Sequence, residues 1–265
     1  MNAVKNSRIL RESLKLEAKR FWEYKLNLAF DLLLRIVDGA LFFGFWAIIL
    51  GASTSFAGWT LQGFLLIFAF EAYFISTVLG FAYAALYVHK SIHSAELDSF
   101  LTKPASPWLL AMSKNISISY SGYITGTIAL VIAALQGINF GIEKLAIIAL
   151  MIALGGIITC LFGLCLACLS FWLGRMESLE TIFESFWNFQ GRPANIFPPA
   201  LQLLVAFTFP FIFTQTIPAL SILEKISTAQ LLTSLIMEIA VLIIWYFAFK
   251  ILWTKGLRNY ESGSG

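Results

Sequence analysis

The stretch HKSIHSAELDSFLTKPASPW, from His89 to Trp108, is a polar interruption between two long apolar runs. Within it, Leu97, Phe100 and Leu101 recur at helical spacing. Residues 94–102 are therefore predicted to form a short helix with one apolar stripe, which the prolines that follow bring to an end. Such a helix would lie across the rim of a membrane and dock into a groove on a soluble partner. The alternative is an ordinary polar loop with an interfacial helix.

The composition places the chain among integral membrane proteins. Hydrophobic residues make up 59% of the sequence and charged residues 12%, which is about half the charged share of a soluble domain. Apolar runs of about 20 residues recur, and no long polar segment separates them. We therefore expect one all-α membrane domain. The sequence also lacks the basic, aromatic-interleaved patch that nucleic-acid binding would require.

The first 28 residues are predicted to form an amphipathic elbow helix. Its basic residues, among them Arg11, Lys15 and Lys19, lie largely off an apolar stripe that includes Leu10 and Leu14. This pattern is typical of a helix that lies on the cytoplasmic membrane surface. It would either clamp the bundle or serve only as an interfacial anchor.

Six apolar runs are predicted to cross the membrane within a permease domain over residues 29–260. Residues 261–265 are expected to be a tail of partly artificial origin. The predicted spans are Leu32–Leu50, Thr60–Val88, Ile116–Leu135, Leu145–Leu173, Ala200–Leu223 and Ala229–Trp253.

The basic residues orient these spans. Fifteen of the 18 Lys and Arg residues fall in the amino-terminal segment, the second and fourth connections and the carboxy-terminal tail. Because positive charge accumulates on the cytoplasmic side, both termini and these two connections are expected in the cytoplasm. The expected location is the bacterial cytoplasmic membrane, with multiple crossings.

Ionisable residues inside the spans carry the strongest chemical signal, since each costs a few kcal/mol near the bilayer centre unless it has a partner or faces water. Arg35 and Asp38 lie one helical turn apart and are predicted to form a structural ion pair. Glu71 and Glu238 each lie near the middle of a span, without a cation nearby in sequence. We predict that these two acids line a substrate pathway. The alternative is a protonated carboxyl bonded to a neighbouring helix.

Motifs for catalysis and nucleotide binding are absent from the sequence. It contains no H-E-x-x-H, no G-x-x-x-x-G-K-[ST] and no nucleophile elbow. We therefore expect that the chain is not an enzyme, that it binds no cofactor of its own and that it cannot bind ATP through a P-loop.

Two groups of residues superficially suggest metal sites. The spacing of Cys160, Cys165 and Cys168 resembles an iron–sulfur run, but the three lie in an apolar span and no fourth cysteine exists. His89 and His93 are four residues apart, so a zinc site is geometrically possible. Helix packing for the cysteines and a wet membrane boundary for the histidines are the simpler interpretations, and no metal is assigned.

The fourth connection contains a second amphipathic pattern. Residues 176–189 are predicted to form a helix at the cytoplasmic surface, which Gly191 and Pro193 end. The fifth span follows and contains Pro210 and Pro218, each of which removes an internal hydrogen bond. This span is therefore predicted to be kinked or broken, with a part that dips back near its outer end.

These features together resemble bacterial type-2 ABC exporter permeases. The stretch AELDSFLTKPASPW is similar to that group's pattern G-E-L-D-x-x-L-x-K-P-x-S-P, with Ala95 where a Gly stands in the pattern. The later stretch RPANIFPPALQ, followed by a proline-bearing span that ends in TIPA, resembles a second signature of the group. The similarity extends over nearly the whole chain.

The resemblance implies a half-transporter. Two permease subunits, identical or homologous, would associate with two ATP-binding cassette subunits, which would hold ATP and Mg²⁺. Residues 94–104 would be the coupling helix, and its motif positions would contact the ATPase. These positions are Glu96, Leu97, Asp98, Phe100 and Leu101.

The substrate class follows less directly. Membrane-embedded acids and an aromatic content of 15% favour a hydrophobic or amphiphilic small molecule, with a cationic drug or toxic compound as one candidate, as in multidrug efflux. Export of a polysaccharide or lipid-linked glycan is the alternative, because aromatic channels suit sugars as well. A proton-coupled secondary transporter would also need embedded acids, although no inverted repeat is visible.

Overall fold

The computed structural model describes residues 2–23, 25–51, 55–94, 96–174 and 178–260, and most of these residues are helical. The all-helical class predicted from the sequence is confirmed. A 3₁₀ turn (Ala194–Ile196) precedes α10, and a π-helical segment (Ile212–Thr216) precedes α11. The helices are α1 (Asn2–Glu23), α2 (Lys25–Gly51), α3 (Leu61–Leu86), α4 (Val88–His93), α5 (Glu96–Leu101), α6 (Pro107–Ser113), α7 (Ser121–Leu135), α8 (Ile142–Leu173), α9 (Ser178–Trp187), α10 (Pro199–Thr208), α11 (Ile217–Ile222) and α12 (Thr228–Arg258).

Four helices in the described part of the chain are long and apolar enough to cross a membrane. They are α2 from Leu26 onward, α3 continued by α4, α8 and α12. Helix α7 is apolar but has only 15 residues, about 22 Å, because residues 116–120 are not helical. If α10 and the bent segment after it count as one span, the number rises to five. The six separate spans predicted from hydropathy are thus reproduced only in part.

The segment that follows α8 is not a surface loop. It runs antiparallel to α3 along most of that helix, first as α9 and then as the non-helical residues 188–193 and the 3₁₀ turn. The helix predicted over residues 176–189 is present as α9, and it packs along α3; residues 175–177 lie outside the described chain. The contacts in order pair Glu180 with Lys90, Phe183 with Tyr83, Trp187 with Phe74 and Asn195 with Trp59.

Residues 199–222 form a bent pair of helical segments, here called the hairpin. Helix α10 and the helical segment from Ile212 meet at 90°, so the kink predicted from the prolines is confirmed. The Trp59 indole N–H donates a hydrogen bond to the side-chain oxygen of Asn195, just before α10, and Lys225, just after α11, donates one to the carbonyl of Gly58. Both ends of the hairpin therefore lie at the end of the bundle where α3 begins. The crossing predicted over Ala200–Leu223 is therefore not reproduced as one continuous helix; the two segments form either a broken span or a re-entrant loop.

Buried polar side chains of the hairpin explain why a non-helical segment can lie beside α3. The Gln215 side-chain oxygen accepts from the backbone N–H of Gly191 at 3.0 Å, and the Thr216 hydroxyl accepts from that of Ala194 at 2.8 Å. Irregular backbone is tolerated at membrane depth only where protein groups satisfy it. Hydropathy does not detect this arrangement, because the partners are more than 20 residues apart in sequence.

Aromatic rings fill the space between the hairpin tip, α8 and α9. Phe209 at the tip packs edge-on against Phe162 and Phe183, with ring centroids 5.6 and 4.7 Å apart. Trp187 packs against the same ring at 5.5 Å. Such pairs add about 0.5–1.5 kcal/mol each beyond the apolar area that they bury. The aromatic content thus serves largely as core, and this core fixes the hairpin tip halfway along the bundle.

Candidate functional site

The polar stretch between α4 and α6 folds as predicted into a short helix, α5; Ala95 lies outside the described residues. Leu97 and Phe100 are buried in a cluster with residues of α3, α6 and α8. Glu96 and Leu101 are exposed, and Asp98 is partly buried. Contact of the five motif positions with a partner stays a prediction, and two of the five are buried within this chain. The apolar pair anchors α5 to the bundle, and Glu96 and Leu101 are available for contact.

Polar contacts fix α5 and α6 relative to the bundle. Lys114 donates to Glu96 at 2.9 Å, and this hydrogen bond lowers the pKa of the Glu96 carboxyl. Asn6 of α1 donates to the Ser106 hydroxyl at 2.8 Å and accepts from the Ser106 backbone N–H at 3.2 Å. The predicted amino-terminal helix is therefore attached directly to the α5–α6 connection.

The end of α12 also reaches α5. Burial raises the pKa of Tyr260, and the nearby Asp98 carboxylate raises it further. Tyr260 also packs against Phe171 at the end of α8, with ring centroids 6.1 Å apart. Helix α5 thus contacts the bundle and the end of the chain, and the connection that follows α5 contacts α1.

An ion cluster joins α2 and α3. One guanidinium nitrogen of Arg35 donates to Asp38 at 3.1 Å, and the other lies 3.9 Å from the Glu71 carboxylate. This cation beside Glu71 was not predicted, because Arg35 and Glu71 are 36 positions apart in the sequence. Asp31, one turn earlier, accepts a hydrogen bond from Ser119 at 3.1 Å instead.

A cavity of about 280 Å³ opens beside Glu71. Gly191 forms part of its wall with a φ of +72°, and a Cβ at this position would meet the Glu71 carboxylate oxygen at 2.8 Å. Glycine is required here both for the backbone conformation and for the close approach. The cavity is lined by Asp38, Leu41, Phe42, Phe45, Trp46, Glu71, Gln190, Gly191 and Arg192.

The cavity lies about halfway along the bundle. Glu71 is ten residues into α3 from Leu61, about 15 Å, which is half of the roughly 30 Å hydrocarbon thickness of a bilayer. Nevertheless, the Asp38 side chain is 61% exposed and Arg192 is exposed as well. Charged groups at this depth are expensive against lipid tails. The side of the chain formed by α2 and residues 190–192, here called the α2 face, therefore requires water or protein opposite it.

Glu238, the second predicted pathway acid, lies in a different environment. Glu238 is fully buried, and neither of its carboxyl oxygens has a hydrogen-bond partner within the described chain. A Cβ on Gly155 of α8 would lie 3.2 Å from the Glu238 carboxyl and would also contact Thr214. Thr214 and Gln215 are neighbours in the π-helical segment, so this segment separates Glu238 from the Glu71 cavity. The structure does not bring the two acids together.

The histidine pair shows no metal-site geometry. His89 is buried, and its Nδ1 lies 2.8 Å from the carbonyl oxygen of Leu86. Within the described ranges, no group of three or more His, Cys, Asp or Glu side chains converges as a metal ion would require.

Comparison with known families agrees with this architecture. The family model described as ABC-2 family transporter protein matches residues 36–264. The chain belongs to the ABC-2 transporter family. It is therefore a multi-pass membrane protein and a membrane component of an ABC transporter, and its family implies an ATP-binding cassette partner. No curated protein matches the chain.

The ABC-2 permease contains functional candidates that sequence reasoning missed. Arg192 was counted among the cytoplasmic charges, yet it lines the cavity beside Glu71. One signal was available: a Gly-Arg-Pro sequence after an amphipathic helix predicts a turn. Its placement beside α3 was not readable from local pattern, since it depends on the buried hydrogen bonds of Gln215 and Thr216.

Proposed function

We propose that this chain is the permease subunit of an ATP-driven exporter that moves a hydrophobic or amphiphilic small molecule out of the cytoplasm by alternating access. Two permeases, identical or homologous, associate with two ATPase subunits in the bacterial cytoplasmic membrane. ATP and Mg²⁺ bind in the ATPase subunits. Both termini are cytoplasmic, and the fifth of six crossings is the segment 178–198 beside α3.

The observation that carries this proposal is the exposure of Asp38 and Arg192 about halfway along the bundle. Contact of such charges with lipid tails would cost free energy, whereas water in a pathway between two permeases would hydrate them. The pathway then runs along the α2 face, and Glu71 lies on it. Glu238 is enclosed within the same subunit and is not proposed to line this pathway.

Coupling to ATP hydrolysis is proposed to act through α5. Its buried side, Leu97 and Phe100, packs into the bundle, and its exposed side, Glu96 and Leu101, meets the ATPase. Closure of the ATPase pair would push α5, and the contacts of Asn6 and Tyr260 would transmit that movement to α1 and α12. The two sides of one helix thus have separate roles, structural and coupling.

The experiment measures ATPase activity of the purified complex and the amount of ATPase subunit that co-purifies. Leu101→Glu places a charge on the exposed side of α5 and is expected to release or uncouple the ATPase while the permease stays folded. Thr254→Glu, also exposed and near the end of α12, is the control and should leave both readouts unchanged. If no ATPase subunit accompanies the wild-type chain, the proposal fails, and proton-coupled transport through the embedded acids takes its place.

A further inference from the structure

We propose that the Glu71 cavity binds a zwitterionic head group, with a quaternary ammonium against the α2 wall and an anionic group at Arg192. This inference rests on the proposed function, since it specifies the substrate class of that pathway. It replaces the cationic candidate suggested by the isolated acids in the sequence.

Charge balance argues against a simple cation. Asp38 and Glu71 contribute two negative charges to the cavity region, and Arg35 and Arg192 contribute two positive charges. A monovalent cation would be attracted by the acids and repelled by the arginines. A monovalent anion would be attracted by the arginines and repelled by the acids. A molecule that carries both charges can satisfy both sets at once.

The two walls of the cavity differ in the charge that they favour. The α2 wall offers Asp38 together with the rings of Phe42, Phe45 and Trp46. Aromatic faces with a nearby acid bind quaternary ammonium groups through cation–π attraction. The opposite wall offers the exposed guanidinium of Arg192, which binds anionic groups such as phosphate or carboxylate with two parallel hydrogen bonds. The walls therefore also set the direction in which a zwitterion enters.

Two buried polar atoms near the cavity lack hydrogen-bond partners within the described residues: Arg35 Nη2 and the side-chain oxygen of Gln190. Buried polar groups are ordinarily paired. Neither atom is assigned to the ligand, because Arg35 does not line the cavity and a quaternary ammonium has no N–H to donate to Gln190.

The size of the cavity limits what it holds. Its volume of about 280 Å³ lies just under the range of about 300–1,000 Å³ for drug-sized ligands. A head group fits, and a long alkyl chain does not. Leu41 and Phe45 continue the α2 wall as exposed apolar side chains, so a tail would lie along α2. Both a membrane phospholipid and a single-chain amphiphile have this chemistry.

The test compares three probes with the same 12-carbon chain: dodecylphosphocholine, dodecyltrimethylammonium and dodecyl sulfate. Binding to the full-length permease is measured in nanodiscs of phosphatidylglycerol, below the concentration at which each probe forms micelles. The zwitterionic probe is expected to bind roughly tenfold more tightly than either charged probe. Equal binding of all three probes, or preference for a charged probe, would overturn the proposal.

Two variants test the two walls separately. Asp38→Asn should weaken binding of dodecylphosphocholine and shift the binding preference toward dodecyl sulfate by roughly tenfold. Arg192→Gln should shift the binding preference toward dodecyltrimethylammonium, also by roughly tenfold. Asp31→Asn removes an acid of the same helix that bonds Ser119 outside the cavity, and it should change neither preference. Shifts in the same direction for both variants would contradict the assignment of the walls.

The source of the head group is tested by adding phosphatidylcholine to the nanodiscs. Competition with dodecylphosphocholine assigns the site to a membrane lipid, and absence of competition assigns it to a single-chain amphiphile; both outcomes support the charge chemistry. ATPase activity of the complete complex separates the two proposals. If the zwitterion binds but does not change ATP hydrolysis, the site stands and the exporter function fails.

Discussion

Glu71 and Glu238 look equivalent in sequence, since each is an acid in the middle of a long apolar helix, but their surroundings differ. Glu71 has Arg35 at 3.9 Å and borders a cavity open to the α2 face. Glu238 is enclosed between α12, α8 and the hairpin, without a cation or a hydrogen bond in the described chain. For a carboxyl such as Glu238, the free energy cost of burial is far smaller for the neutral acid than for the ion. Burial alone therefore does not identify a pathway residue; access and charge partners do.

Removal of Arg35 should lower the stability of the protein more than any other change around Glu71. Arg35→Ala leaves Glu71 and Asp38 without their shared cation and is expected to lower the free energy of unfolding by about 3 kcal/mol. Thermal or denaturant unfolding in detergent measures this loss. Arg20→Ala is the control, because the Arg20–Glu17 pair has an exposed arginine and should change stability by at most about 1 kcal/mol. Equal effects of the two variants would refute the difference in environment.

Around Glu238, the stability of the protein should be most sensitive to added side-chain volume. In Gly155→Ala the new methyl group contacts Thr214 and the Glu238 carboxyl, so overpacking is expected to cost about 1–3 kcal/mol. The same unfolding measurement applies. Gly44→Ala in α2 is the matched control, since its Cβ would have no neighbour within 4 Å, and it should not destabilise the chain.

Gly191→Ala should damage the Glu71 cavity selectively. Gly191 and Gly174 both have positive φ, at +72° and +76°, so alanine at either position strains the backbone. Only the methyl group at 191 would press on the Glu71 carboxylate. Binding of dodecylphosphocholine should therefore fall in Gly191→Ala and stay normal in Gly174→Ala. Loss of binding in both variants would mean that strain, and not contact with Glu71, is responsible.

The smallest effect is expected for Glu238→Gln. A neutral amide of the same shape replaces an enclosed carboxyl, so stability should change by less than about 1 kcal/mol. Glu71→Gln, in contrast, leaves Arg35 with only Asp38 and should lower both stability and zwitterion binding. A large loss in Glu238→Gln, measured by unfolding, would show that Glu238 is ionised and paired in the native protein.

The sequence was sufficient for those parts of the molecule in which each helix is defined by its own pattern. Hydropathy located α2, α3, α8 and α12, with the start of α2 seven residues too late, and the spacing of Leu97 and Phe100 predicted α5. For residues 178–222 it predicted the helix α9 and the bend, but it did not predict that α9 lies beside α3. The decisive interactions there are contacts between distant segments, such as Gln215 with Gly191, which local periodicity does not reveal.

The same limit applied to the site. Glu71 could be singled out because an acid in an apolar run is costly. Its partner Arg35 is 36 positions away and Gly191 is 120 positions away, so neither the pairing nor the cavity was visible. Leu97 and Phe100 were correctly placed on one helix stripe, but their pattern alone did not show whether that stripe faces the bundle or a partner.

The central claim is that the α2 face borders an aqueous pathway, and labelling of single cysteines tests it most directly. Leu41 lines the cavity and is 69% exposed, and Ile236 of α12 is 67% exposed away from it. In a background without Cys160, Cys165 and Cys168, each is replaced by cysteine and treated with a membrane-impermeant thiol reagent in the assembled complex. We predict rapid labelling of Leu41→Cys and protection of Ile236→Cys by lipid. Equal protection of both would contradict the account.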